Sequence, residues 1–374
     1  MLRHALSRII FSIVLVAASL APPAGASDAP RGALDLPAPG GRHSVGIRSL
    51  VLSDRGRGRD LIVTLWYPAA AGARGPAAPY MDRTTAAAVA KEWSPQPDFA
   101  PRVRPHAVAS APVAAGGPFP IVLLEHGSGT VPAGYTLLAE GLAGAGFVVA
   151  ATNHPPDSLI SAYPDGRVLR FAPYWPADAD RRTQGITIGR FAADVLEKDA
   201  RFVLDRLAAL SREDAVWRGR LDPARAGIVG HSMGGTTAAL TLRDDPRILA
   251  GVNLDGSTYP GMNADVRPVQ LGKPFLCLLT EEHASDPGDH GHEFAGKDGD
   301  SYYVVVPGAD HMSFTDARLL GARFGAESPP DDAAFGRALL AAEATRTLVE
   351  AFLAKYLQGR PAPILDVALQ IEKK

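Results

Sequence analysis

Gly230-His231-Ser232-Met233-Gly234 sets a serine between two glycines in the Gly-x-Ser-x-Gly spacing. That spacing suits a nucleophile on a tight strand-to-helix turn, where flanking side chains would clash. The run Ala226-Gly227-Ile228-Val229 precedes it, and the small residues Gly235-Thr236-Thr237-Ala238-Ala239-Leu240 follow, so strand and helix signals fall on the required sides. A serine hydroxyl attacks only when a positioned base takes its proton. His311, in Pro307-Gly308-Ala309-Asp310-His311 after the last apolar run, fits that base, because the chain order for such a turn is serine, acid, histidine. His126, His154 and His231 come before or inside the turn, and His283, His290 and His292 fall in a polar stretch. The acid has three candidates on the residues alone. Asp255 ends Val252-Asn253-Leu254-Asp255-Gly256, and Glu282 and Asp286 follow the next apolar run. An oxyanion needs two backbone N–H donors, expected from Met233 and from Ser128 in His126-Gly127-Ser128-Gly129.

Positioning these groups requires alternating strands and helices. Apolar runs at 61–67 (ended by Pro68), 119–125, 147–151, 226–229, 249–254, 275–280 and 302–306 read as strands. Helical patterns lie at 133–145, 188–210 and 333–357. Continuous apolar runs rather than strict alternation are expected of strands covered on both faces. The pattern predicts an α/β-hydrolase fold, a mostly parallel central sheet with helices on both faces, in one domain over 27–374. Two irregular insertions break the rhythm. Residues 75–117 carry Tyr80, Trp93 and Phe99, and residues 155–182 carry Tyr163, Phe171, Tyr174 and Trp175. Insertions of this length serve as lids and binding loops about as often as they are idle excursions.

The first residues differ from the rest. Arg3 and Arg8, an apolar run over 9–20 and Ala24-Gly25-Ala26 follow the order of a cleavable secretory leader, giving residues 1–26 as signal peptide and a periplasmic or secreted product. The run is short of the roughly 20 residues of a spanning helix. A formal net charge of −2 offers no basic footprint for nucleic acid. Cys277, the single cysteine, allows no internal disulfide and reads as a small buried hydrophobe. His290-x-His292 with Asp286 or Asp289 contains metal-ligand types, but the spacing matches no established site, so neither a metal nor a cofactor is expected.

The ordered features Trp66-Tyr67-Pro68, His126-Gly127-x-Gly129, Gly146-Phe147-Val148-Val149-Ala150-Ala151, Gly-His-Ser-Met-Gly-Gly, Leu254-Asp255 with Tyr259-Pro260, and His311-x-x-Phe314-x-Asp316 span 61–316. In these the chain resembles the platelet-activating-factor acetylhydrolase family of the plasma type. The resemblance implies Asp255 as the acid. It also implies metal-free hydrolysis of short-acyl or phospholipid-like esters, a substrate class compatible with transient contact at a lipid surface. The chain departs from the family's best-known members in having Met233 where they carry Phe, and in its two insertions. General esterases, dienelactone-hydrolase-like enzymes and polyester hydrolases share the pattern, so a polyester or dienelactone hydrolase is the alternative within enzymes. A non-catalytic binding protein on the same scaffold is the alternative outside them.

Overall fold

The computed structural model describes residues 32–93, 95–257, 271–286, 301–325 and 330–365. The expected leader, Tyr259-Pro260 and the His290-x-His292 pair lie outside the described residues. The main sheet strands, in chain order, are β1 (Ser44–Asp54), β2 (Arg59–Ala69), β3 (Val108–Ala109), β4 (Phe119–Glu125), β5 (Val148–Thr152), β6 (Leu221–His231), β7 (Ile248–Leu254), β8 (Phe275–Leu279) and β9 (Ser301–Val305). Across the sheet they run β9-β8-β7-β6-β4-β5-β2-β1-β3. Every pair from β9 to β5 is parallel, while β2 pairs antiparallel with β5 and with β1. This is the mostly parallel sheet that the apolar runs predict.

Two apolar layers explain why those runs are continuous. Val122 and Leu124 face one layer with Leu142 and the helix residues Leu348, Phe352 and Leu353. Ile121 and Leu123 face the other with Val203, Leu204, Leu207 and Leu242. A strand with helices on both sides therefore has no polar face to show. The helices are α1 (Arg83–Trp93), α2 (Thr136–Gly144), α3 (Arg181–Phe191), α4 (Glu197–Glu213), α5 (Met233–Asp244), α6 (Glu281–Ser285), α7 (Ala317–Phe324) and α8 (Asp332–Gln358). Among the described residues no helix is long and apolar enough to cross a membrane. Cys277 is buried in β8.

Three local features differ from the sequence expectation. β1 carries Ser44, Arg48, Ser49 and Ser53 and is only partly buried, so it lacks the apolar run that marks a central strand. β2 continues through Pro68 to Ala69 rather than stopping there. The helical pattern over 188–210 is interrupted, because a π-turn at Ala192–Leu196 joins α3 to α4. Such turns insert one residue and rotate the helix faces on either side relative to each other.

The two insertions take different places. Tyr80 and Phe99 of the first are buried with Val89 of α1, Leu319, Leu320 and Phe324 of α7, and Ala342 of α8. These side chains of the first insertion, with Ile160 of the second, are core. The second begins with the hairpin Ile160–Ala162/Val168–Arg170 and brings half-buried Tyr174 beside Phe191 and Met233.

Candidate active site

β6 delivers Ser232 at the N-terminus of α5 with φ 55° and ψ −120°, a conformation that costs a non-glycine residue energy and that the surrounding chain must enforce. Close packing enforces it. A Cβ on Gly230 would meet the Gly234 carbonyl oxygen at 1.8 Å, and one on Gly234 would meet the Glu125 carbonyl oxygen at 2.2 Å. Ser232 N–H donates to the Leu254 carbonyl at 2.9 Å, tying the turn to the end of β7.

The next residue in the chain, Asp255, also has positive φ (53°). Asn253 makes that bend: its amide donates to the Gly256 carbonyl at 2.8 Å, and its oxygen accepts from Gly256 N–H at 2.7 Å. The carboxylate of Asp255 is 3 % exposed. Its Oδ2 accepts from His311 Nδ1 at 2.7 Å. Its Oδ1 accepts from Thr280 N–H at 2.8 Å, from Thr280 Oγ1 at 3.0 Å and from His283 Nδ1 at 3.2 Å. Burial alone would raise this carboxyl, but the donors from His283, His311 and Thr280 outweigh it and hold it well below the usual carboxylate range. Glu282, by contrast, is exposed in α6, and Asp286 follows that helix at its C-cap.

His311 opens a short 3-10 turn, His311–Phe314, capped by Asp310. Its side chain is half exposed (49 %), so one ring nitrogen is held by Asp255 while the ring remains open to the surface. Its backbone carbonyl accepts from His231 Nε2 at 2.9 Å. Burial, reinforced by His311, pushes His231 down to about 3, so it is neutral. With Nε2–H donating, Nδ1 must accept, and the Tyr135 hydroxyl donates to it at 2.8 Å. Tyr135 in turn accepts from Gly127 N–H at 3.0 Å. One hydrogen-bonded chain thus joins the loop of Ser128 to the loop of His311 through the residue preceding Ser232.

The 126–130 loop is fixed from a second direction by the turn after β5. Gly129 N–H donates to the Asp157 carbonyl at 2.9 Å. Ser128 Oγ donates to Asp157 Oδ1 at 2.6 Å, and His126 Nε2 meets Ser158 Oγ at 2.6 Å. Burial pushes Asp157 up to about 6 despite the Ser128 donor. A Cβ on Gly127 would stand 3.1 Å from Ser232 Cβ, so this loop passes against the serine. Beneath it, His154 Nε2 meets Glu125 Oε2 at 2.6 Å and His154 Nδ1 meets Asp199 Oδ2 at 3.0 Å; Asp199 also binds Arg57 and Arg59. Burial would lower His154, but Glu125 and Asp199 outweigh it and push it up to about 10.

Asp255 and His311 therefore meet, and Ser128, Ser232 and Met233 sit at adjacent strand ends. The sheet order separates the parts: Asp255 and His311 lie toward β9, and the 126–130 loop and second insertion lie toward β5. Sequence reasoning set aside His231 and His283 as the base and did not single out Thr280, Tyr135 or Asp157 for the site. Thr280 carried a signal as a threonine ending an apolar run, the usual N-cap of a following helix. Tyr135 and Asp157 are recruited from other strand ends, with no local pattern to mark them.

A family model described as platelet-activating factor acetylhydrolase, isoform II, matches residues 29–166 and 208–328. Its first segment runs through the first insertion and ends inside the second, and its second segment resumes at 208. The chain is 24 % identical over 223 residues to a platelet-activating factor acetylhydrolase of Cavia porcellus, covering 55 % of this chain and 50 % of the relative. It is 28 % identical over 158 residues to a probable 1-alkyl-2-acetylglycerophosphocholine esterase of Arthroderma benhamiae, covering 42 % and 36 %. The matches thus span half or less of these curated relatives. A solved ferulic acid esterase from Streptomyces cinnamoneus is similar with a TM-score of 0.73 and 32 % identity, covering 89 % of this chain and 96 % of that one.

Proposed function

The chain belongs to the platelet-activating factor acetylhydrolase, isoform II, family, and on that premise we propose that it is a serine carboxylic ester hydrolase working through Ser232, His311 and Asp255. His311 takes the Ser232 proton as the hydroxyl attacks the ester carbonyl, and the N–H groups of Ser128 and Met233 receive the developing oxyanion. The buried Asp255 carboxylate holds the imidazole tautomer and balances the imidazolium. The alcohol leaves with the proton from His311. Water activated by the same histidine then attacks the acyl-enzyme and releases the acid.

The observation that carries this reading is the 2.7 Å contact of His311 with a carboxylate one strand from a serine at φ 55°. Short-acyl esters, including phospholipid-like ones, are the substrate class we assign. The fungal relative is named for an acetylated glycerophosphocholine, and the solved neighbour, itself titled an esterase, shares the reaction class. Export after cleavage of residues 1–26, with 27–374 acting as one unit, is part of the same proposal.

Ser232→Ala is expected to abolish hydrolysis of 4-nitrophenyl acetate and covalent labelling by a fluorophosphonate. Near-normal turnover in that variant overturns the assignment. Acetate release from 1-alkyl-2-acetylglycerophosphocholine, set against a long-chain phosphatidylcholine, tests the substrate class; equal rates on both would remove the short-acyl reading.

A further inference from the structure

The second insertion places an aromatic group beside Met233, the residue after Ser232. Tyr174 and Phe191 stack with ring centroids 3.9 Å apart and 14° between planes. Trp175 stands edge-on to Tyr174 at 4.9 Å, and Phe171 lies 6.2 Å from Trp175. All four rings are half-buried, so each keeps open surface. The stack is aimed by the Tyr174 hydroxyl, which lies 3.1 Å from Met233 Sδ and 3.4 Å from Asp157 Oδ1. It touches the residue after Ser232 and the carboxylate that binds Ser128, and so bridges the two groups expected to hold the oxyanion. Phe191 is set against Tyr174 at the edge of the π-turn, whose Ala192 and Leu196 pack on Met233. Local irregularities of this kind concentrate at functional sites.

The direction of a bound ester follows from the sheet order. The leaving alcohol receives its proton from His311, which follows β9, so the alcohol lies on that side of β6. The acyl group extends to the opposite side, past Ser128, where the second insertion follows β5. Resting on the triad reading above, we propose that Tyr174, Phe191 and Trp175 form an acyl-binding wall that selects flat, conjugated acyl groups over saturated straight chains of similar length. A planar acyl offers its face or edge to these rings, whereas an alkyl chain makes only dispersion contact. Each aromatic contact is worth about two- to tenfold in affinity.

The test is a series of 4-nitrophenyl esters differing only in acyl group: acetate, butanoate, hexanoate, benzoate and cinnamate. Each kcat/KM is divided by the rate of hydroxide hydrolysis of the same ester. The full-length enzyme is expected to favour cinnamate over hexanoate by about tenfold. Tyr174→Ala and, separately, Phe191→Leu should bring that ratio to within about twofold of one. Tyr174→Phe, which keeps the ring, should hold the ratio while lowering rates on every ester. A wild-type preference for hexanoate, or a ratio unmoved in both Tyr174→Ala and Phe191→Leu, overturns the inference. If Tyr174→Ala does not fold, Phe191→Leu decides. Fluorophosphonate labelling with intact acetate turnover leaves the triad reading standing in those cases; loss of labelling in the wild type removes both.

Discussion

Replacing Asp255 by asparagine changes one oxygen to an amide and keeps the shape of the side chain. Both carboxylate oxygens face donors. On one side stand Thr280 N–H, Thr280 Oγ1 and His283 Nδ1, and on the other His311 Nδ1. The backbone donor at 2.8 Å cannot turn away, so the amide oxygen of Asp255→Asn takes its place there and the NH2 group faces His311. That forces His311 Nδ1 to accept and moves its proton to Nε2, the atom that collects the Ser232 proton in the proposed mechanism. The lost charge adds to this. A unit pair about 4 Å apart interacts by about 4 kcal/mol at an effective dielectric of 20. At 1.4 kcal/mol per tenfold, that is about a thousandfold in the stabilisation of the imidazolium. With the tautomer error included, kcat on 4-nitrophenyl acetate should fall by about 10³ to 10⁴, near the loss seen when a serine protease triad is altered in this way. Glu282→Gln, at an exposed position, should stay within about twofold of the parent, as surface substitutions away from special features usually do. Stopped assays on both purified variants, with melting curves showing that each is folded, decide the matter. A loss under tenfold for Asp255→Asn, or a larger loss for Glu282→Gln, refutes the reasoning.

Gly234→Ala should yield little folded protein, because its methyl group would meet the backbone oxygens of Glu125 and His126 at 2.2 and 2.8 Å. Gly321→Ala, with no neighbour within 4 Å in α7, should instead gain up to about 1 kcal/mol; equal melting temperatures for the two would show that the elbow is not sterically closed. His154 has its folded pKa raised to about 10 by Glu125 and Asp199, so its contribution to stability is complete below about pH 6.5 and is lost as pH rises through its folded value. Urea unfolding should show His154→Gln much less stable than wild type at pH 7, with the gap narrowing toward pH 10 by up to about 1.4 kcal/mol per pH unit. Parallel stability curves would exclude a charged imidazole there.

The central strands and the elbow were legible because their signals are local. A buried strand must be apolar throughout, and the two glycines of the elbow stand within five residues of sequence, although the backbone that requires Gly234 is that of Glu125. Asp255 could be chosen over Glu282 only through resemblance, since the deciding fact is a contact between residues 56 apart in sequence. β1 was hidden by its serines and Arg48, which a partly solvated strand near the sheet edge tolerates. The first insertion read as irregular because its core contacts, such as Tyr80 Oη donating to Asp316 at 2.9 Å, reach across 236 residues. His231 was set aside as the base because it lies inside the turn, and its tie to Tyr135 and His311 appears only after the chain is folded.

The placement of Ser232 and Asp255 also bears on how the chain gains activity as it folds. The two lie 23 residues apart, on neighbouring parallel strands joined by α5 alone. Contacts so near in sequence close cheaply and early. His311 is placed only when β8 and β9 are paired at the edge of the sheet, and the Ser128 loop joins from the other side. On the proposed roles, an incompletely folded molecule can therefore hold Ser232 and Asp255 together while His311 is not yet placed. On those roles, reactivity toward esters would report that the sheet is complete from β5 to β9.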